Sequence, residues 1–207
     1  VLSDNSLPVV SLLGNFGDAN MLGFKMGIAG SIQIVSRTCS TPDVAVPMGT
    51  HLPKEFAASN SSSAWVDFSI SLNNCPAFHG AVTKTPVSWV SQSGNSPSGT
   101  AGSVSVDNNS LQFRIDPTRT AVNAGNGVLS IEPSAAGRPP AASGIGLQIA
   151  TQAATPVPLA TKRSSGLTLS AFDRSYAIPL RARYLKTGAS VTPGPANASA
   201  TFTISYE

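Results

Sequence analysis

The sequence predicts an all-β protein arranged as an antiparallel sandwich, and three observations predict it. Short runs of alternating apolar and polar residues recur along the 207 residues. Clusters rich in Gly, Pro, Ser and Asn punctuate those runs, with 18 Gly and 16 Pro spread over the chain. No stretch carries the period of a long amphipathic helix. Strand-sized runs between turn signals are what two packed sheets require.

The elements follow in order. Residues 1–18 are mixed, although Val10, Leu12, Gly14 and Phe16 alternate. Residues 20–35 hold the longest strand signal, with Leu22, Phe24, Met26, Ile28, Gly30, Ile32 and Ile34 on one face. Residues 41–48 carry Val44 and Val46 in alternation, and a polar loop occupies 57–64. Val66, Phe68, Ile70 and Leu72 then define a strand that runs on to Cys75. One strand is expected over 83–90, with Val87 and Trp89, and a flexible loop over 94–102. Leu111, Phe113 and Ile115 form a strand ended by Asp116-Pro117. Short strands are expected at 128–131, 144–149 and 166–169, with a surface loop at 133–143. Over 178–184, Leu180, Ala182 and Tyr184 form a core face, and Arg181 and Arg183 a solvent face. Trp65 and Trp89 are expected in the sandwich core.

The end of the chain is the most regular part. Ala198, Ala200, Phe202, Ile204 and Tyr206 alternate with polar residues up to the last position. This is a strand with one buried face, and no further strand follows to cover its edge. The expectation is an open groove that another polypeptide fills.

Composition narrows the function classes. Charged residues are 11% of the chain and the net charge is +3, with the basic residues scattered, so nucleic acid is not expected as a partner. No apolar stretch is long enough for a transmembrane helix. No nucleophile elbow or phosphate loop is present, and no catalytic residue or cofactor is assigned. Cys39, His51, Cys75 and His79 do not form two close ligand pairs, so no metal is assigned. Cys39 and Cys75 are the only cysteines. A bridge between them would close a loop of roughly 37 residues and suit an oxidising compartment, whereas two separate buried thiols are the alternative.

From about residue 28 onward the chain resembles the pilin domains of the chaperone–usher pathway, which build adhesive fimbriae on Gram-negative bacteria. The resemblance is carried by the penultimate Tyr206, by Gly194 fourteenth from the end, and by the stretch from Ile178 to Tyr206. The GIGLQI segment and the Cys39/Cys75 pair, with SLNNCPA around the second cysteine, add to it. The resemblance implies an incomplete immunoglobulin-like sandwich that lacks its C-terminal strand and is completed by a donor strand. It implies a disulfide between Cys39 and Cys75, and an acceptor strand of Gly194, Ala198, Ala200, Phe202, Ile204 and Tyr206. The implied partners are a periplasmic chaperone, an outer-membrane usher and neighbouring pilus subunits. The implied location is the periplasm in transit, then an extracellular pilus.

Residues 1–27 depart from the simple pattern, because 38 residues precede Cys39. They are an N-terminal extension or linker: a donor strand, or the remnant of an upstream receptor-binding domain. The long alternating run favours the anchoring pilin domain of a tip adhesin, with residues 28–207 as the pilin domain. An ordinary shaft or minor pilin is the alternative, and a self-sufficient host glycan- or protein-binding module is a further one.

Overall fold

The computed structural model describes residues 9–16, 19–27, 38–85, 88–90, 98–100 and 102–207. The chain divides into two compact units, Val1–Arg37 and Thr38–Glu207.

In the first unit, β1 (Val9–Phe16) and β2 (Ala19–Gly27) form an antiparallel hairpin. Val10 lies opposite Met26 and Leu12 opposite Phe24, and the register slips by a bulge between Leu12 and Leu13. The two alternating series read from the sequence are thus each other's ladder partners up to the bulge; beyond it Gly14 faces Met21 and Phe16 faces Ala19. Ile28, Gly30, Ile32 and Ile34, which continue the second series, lie outside the described residues.

The second unit is built from two facing sheets and two further two-stranded ones. β3 (Val66–Cys75) is followed by β4 (Ala81–Thr85), β5 (Ser88–Val90), β6 (Ser98–Thr100), β7 (Ser103–Asp107), β8 (Leu111–Pro117) and β9 (Val128–Ser130). β10 (Ile145–Thr151), β11 (Arg163–Ser164), β12 (Arg174–Lys186) and β13 (Ala200–Tyr206) complete it. One sheet has the order β3-β12-β10-β9 and the other β11-β8-β13. Every pairing in them is antiparallel. The only helical element among the described residues is a single 3-10 turn, Pro53–Phe56.

The inward faces meet in the core. Ile70 and Leu72 of β3, Ile178 and Leu180 of β12 and Ile149 of β10 pack with Leu111, Phe113 and Ile115 of β8. Each set is spaced by two residues, so one pleated face carries it. A second cluster of Phe56, Ile145 and Tyr184 lies apart from the first, and Leu147 packs against both.

Four expectations need correction. The strand expected over 83–90 is two, since β4 pairs with β7 and β5 with β6; Val87 lies outside the described residues. Ser98–Thr100 forms β6 inside the expected loop, and β7 is a strand for which the sequence reading made no assignment. Residues 166–169 are not a strand: Leu167 and Leu169 are half-buried but lack a ladder, and the pairing falls at β11 instead. Trp65 is not in the core. It lies under the Arg181 and Arg183 guanidinium groups, 5.6 and 4.2 Å from the ring centroid.

Candidate functional site

β13 is an edge strand. On one side it pairs with β8 in unbroken register, from Ala200 opposite Pro117 to Tyr206 opposite Leu111. On its other side no strand of the described residues is paired. Its inward residues follow a period of two, and the same alternation continues upstream of the strand. Ala196, Ala198, Ala200 and Phe202 are half-buried, while Asn197, Ser199, Thr201 and Thr203 are exposed. Upstream, the chain is fixed from behind: the Thr118 N–H donates to the Ser199 carbonyl and the Glu132 N–H to the Asn197 carbonyl.

Gly194 starts this wall. A Cβ there would lie 2.2 Å from the Pro140 carbonyl oxygen and 2.7 Å from the Ala142 nitrogen. Two backbones pass too closely for any side chain, and the Ala142 N–H donates to the Pro195 carbonyl at 2.9 Å beside the crossing. Gly194 is therefore required for close approach.

Facing this wall is the segment of residues 41–52. Val44, Val46 and Met48 are half-buried and their neighbours exposed, yet no strand is formed there. Its tie at one end is the Ser40–Asn73 bridge, with both main-chain bonds at 2.8 Å. The Cys39–Cys75 disulfide, beside that bridge, clamps the segment to β3. At the other end, His51 Nδ1 meets Glu55 Oε2 at 3.0 Å and Nε2 meets the Met48 carbonyl at 3.0 Å. The His51 ring is edge-on to Phe56 and Tyr184. The Glu55 carboxyl is lowered from its ordinary value, first because it accepts the Leu52 N–H and then because His51 faces it.

Between the walls runs an open groove of about 760 Å³. Its floor is Phe68 and Ile70 of β3, Ile115 of β8, Leu129 of β9, Leu147 and Ile149 of β10 and Tyr184 of β12. The groove thus lies over both hydrophobic clusters. The Tyr184 hydroxyl donates to the Ala196 carbonyl at 2.6 Å, and burial pushes its phenol up. At the far end the walls meet: the Cys39 N–H donates to the Tyr206 hydroxyl at 3.4 Å, and Phe78 stacks on the Tyr206 ring at 5.4 Å. An apolar floor beside a strand with one free edge can accept an extended chain, by main-chain pairing and by burial of alternate side chains.

Of the residues singled out in the sequence, Gly194, Ala198, Ala200 and Phe202 line this groove. Ile204 and Tyr206 are not among its lining residues; they pack against the main cluster past its closed end. The opposite wall and Ala196 were not picked out. The alternation of Val44, Val46 and Met48 signals a half-buried segment, but not which gap it borders. Both sulfurs of the Cys pair are used in the disulfide, and His79 is exposed. Arg181 and Arg183 do not form a plain solvent face. Arg181 pairs with Asp67 at 3.0 Å, while Arg183 donates to Gln148 Oε1 at 2.9 Å and Ser62 Oγ at 3.0 Å. Burial lowers the Arg183 pKa.

The sequence matches the fimbrial protein family over residues 26–207. The chain belongs to that family. It is 31% identical over 180 residues to the fimbrial subunit type 1 of Klebsiella pneumoniae, covering 84% of this chain and 80% of that one. It is 29% identical over 181 residues to the type-1 fimbrial protein, A chain, of Escherichia coli strain K12, with the same coverage of 84% and 80%. Among solved structures it is similar to the P pilus rod subunit PapA, with a TM-score of 0.50 at 16% identity, covering 83% of this chain and all of that one. The all-β, immunoglobulin-like pilin fold is therefore shared, and this fimbrial protein carries its open groove on that fold.

Proposed function

We propose that this fimbrial protein is a structural and adhesive subunit of a chaperone–usher pilus, assembled by donor-strand complementation. The observation that carries the reading is the groove between the free edge of β13 and residues 41–52, floored by two apolar clusters. A strand laid there buries about four or five side chains, which stabilises by on the order of 10 kcal/mol before ordering costs. Main-chain pairing along β13 adds to that. A joint of this kind opens slowly, which suits a fibre. The role is structural rather than catalytic, in keeping with relatives named as fimbrial subunits.

The partners in this reading are a periplasmic chaperone that fills the groove in transit, an outer-membrane usher, and neighbouring subunits in an extracellular pilus. Gly194, Ala198, Ala200 and Phe202 are the acceptor wall, and Ile204 and Tyr206 extend the same strand to the closed end. In this reading the pilin domain is residues 28–207, and residues 1–27 are an N-terminal extension or linker, either a donor strand or the remnant of an upstream receptor-binding domain. The anchoring domain of a tip adhesin is favoured because β1 and β2 are paired with each other. A donor strand has to leave such a ladder before it can enter another groove. A shaft pilin is the second reading, favoured by the alignment over 80% of the relatives' own length.

The test is to purify the full chain alone and with a synthetic alternating apolar peptide. Alone, the chain is expected to self-associate or melt early; with the peptide it is expected to be monomeric and markedly more thermostable. A monomer whose melting point ignores every such peptide overturns the reading. Release from a co-expressed chaperone separates the two positions: a ladder of polymers marks a shaft pilin, and a single non-extending species marks the adhesin domain.

A further inference from the structure

The main chain of the β13 wall faces two ways. Asn197 and Ser199 give their carbonyls to the Glu132 and Thr118 N–H groups behind the wall, and Glu207 exchanges both main-chain bonds with Ser110 on that same side. Successive residues of an extended chain turn these groups to opposite sides. Ala196, Ala198, Ala200 and Phe202 therefore turn theirs to the free edge. Ala196 differs from the other three, because its carbonyl accepts the Tyr184 hydroxyl at 2.6 Å. Pro195 before it has no N–H, and its carbonyl is taken by the Ala142 N–H. Among the described residues, the first edge-facing carbonyl past Gly194 with no partner in the chain is that of Ala198.

Tyr184 is fixed before any guest arrives. Its N–H donates to Ser63 Oγ at 3.0 Å, and its carbonyl accepts the Ser63 N–H at 2.9 Å. Its ring is buried with Phe56 and Ile145 and stands edge-on to His51 of the opposite wall, 5.6 Å between centroids. Burial pushes the phenol up, so the hydroxyl keeps the proton it donates. The donor rises from β12 in the floor. The Ala196 carbonyl is thus drawn toward the floor and not along the plane of a ladder, and a guest N–H approaching in that plane is poorly aimed at it.

We infer that Tyr184 is a positioning residue that ends the guest's main-chain ladder at Ala198. This rests on the strand-acceptor reading above. A guest residue lying beyond Ala198 can still cover the floor with its side chain, but it adds no main-chain pair to the wall. The hydroxyl thereby sets where pairing stops at this end of the groove, independently of which side chains the guest carries.

Residue-resolved hydrogen exchange tests it, on the full chain bound to a synthetic peptide that alternates Leu with Thr over about nine residues. The readout is the wall's own N–H groups, so it does not depend on the direction or register of the peptide. In the wild-type complex the Ala198, Ala200 and Phe202 N–H groups are expected to exchange at least about tenfold more slowly than that of Ala196. Tyr184→Phe keeps the ring and removes the donor. In its complex the Ala196 N–H is expected to join the protected set, while the β8–β13 ladder stays protected and so reports a folded chain. A hydroxyl that only stabilised the interior would lower the melting point of Tyr184→Phe and leave Ala196 exchanging as before; that result overturns the inference. Protection that already reaches Ala196 in the wild-type complex overturns it as well, whatever the variant does. Absence of protection at Ala198, Ala200 and Phe202 in a folded wild-type chain saturated with peptide overturns the acceptor reading itself.

Discussion

The two walls of the groove are built by different means. The β13 wall is held from behind by a continuous ladder to β8 and by further main-chain bonds at Ser199 and Asn197. The wall of residues 41–52 has the same alternation of buried and exposed side chains but is assigned no strand; it is held at its ends, by the disulfide and Ser40–Asn73 bridge on one side and by His51, Glu55 and Phe56 on the other. One wall is tied along its length and the other at its ends, so in the strand-acceptor reading the first is expected to supply register and the second to be the adjustable one.

The largest effect is expected at the fixed wall. Phe202→Asp puts a carboxylate against an apolar floor, where an unpaired charge is strongly disfavoured. Strand or chaperone capture is expected to fall more than about a hundredfold in a pull-down, with secretion intact; capture at the wild-type level would remove Phe202 from the wall. Next comes the clamp of the adjustable wall. Cys39→Ser is expected to lower stability by about 4 kcal/mol on the chain-entropy argument for a bridge spanning 36 positions. Hydrogen exchange should show residues 41–52 loosening first, while β8 and β13 keep their protection. Equal loosening of both would erase the distinction between the walls.

A smaller effect, about 1–3 kcal/mol, is expected from Gly194→Ala, because the new Cβ has only backbone to push against at Pro140 and Ala142. The thermal midpoint measures it, and no change would mean that the crossing relaxes freely. The smallest effect is at the far end of the adjustable wall. The Glu55 carboxyl is lowered in the folded chain, so its contribution is present above the ordinary carboxylate range and is lost as pH falls below that range. Glu55→Gln is expected to flatten this part of the stability–pH profile. A wild-type profile that is already flat there contradicts the assignment.

Much of the fold was legible because several strands carry large apolar residues at every second position. β8 with Leu111, Phe113 and Ile115, β12 with Ile178, Leu180 and Ala182, and β13 with Phe202 and Ile204 were found for that reason. What alternation reports, however, is an extended chain with one buried side. It does not report a ladder. Leu167 and Leu169 alternate in burial without being paired, and so do Val44, Val46 and Met48. β7 shows the converse: it is paired with β4, but Val104 and Val106 are exposed. Trp65 was misplaced because aromatic character was weighed above position. It stands one residue before a strand whose inward series is Val66, Phe68 and Ile70, so the same alternation turns it to the outer face, where the arginines stack on it. The acceptor wall could be read from the chain end, but its counterpart could not, since no local pattern tells which distant segment lies across a gap.

Leu147 is the residue at which the two apolar clusters touch. In the strand-acceptor reading, a guest laid over both clusters would tie them together at more than this one leucine, so that the melting of one would drag the other along. Maturation of the interior and linkage into a filament would then be one and the same physical event.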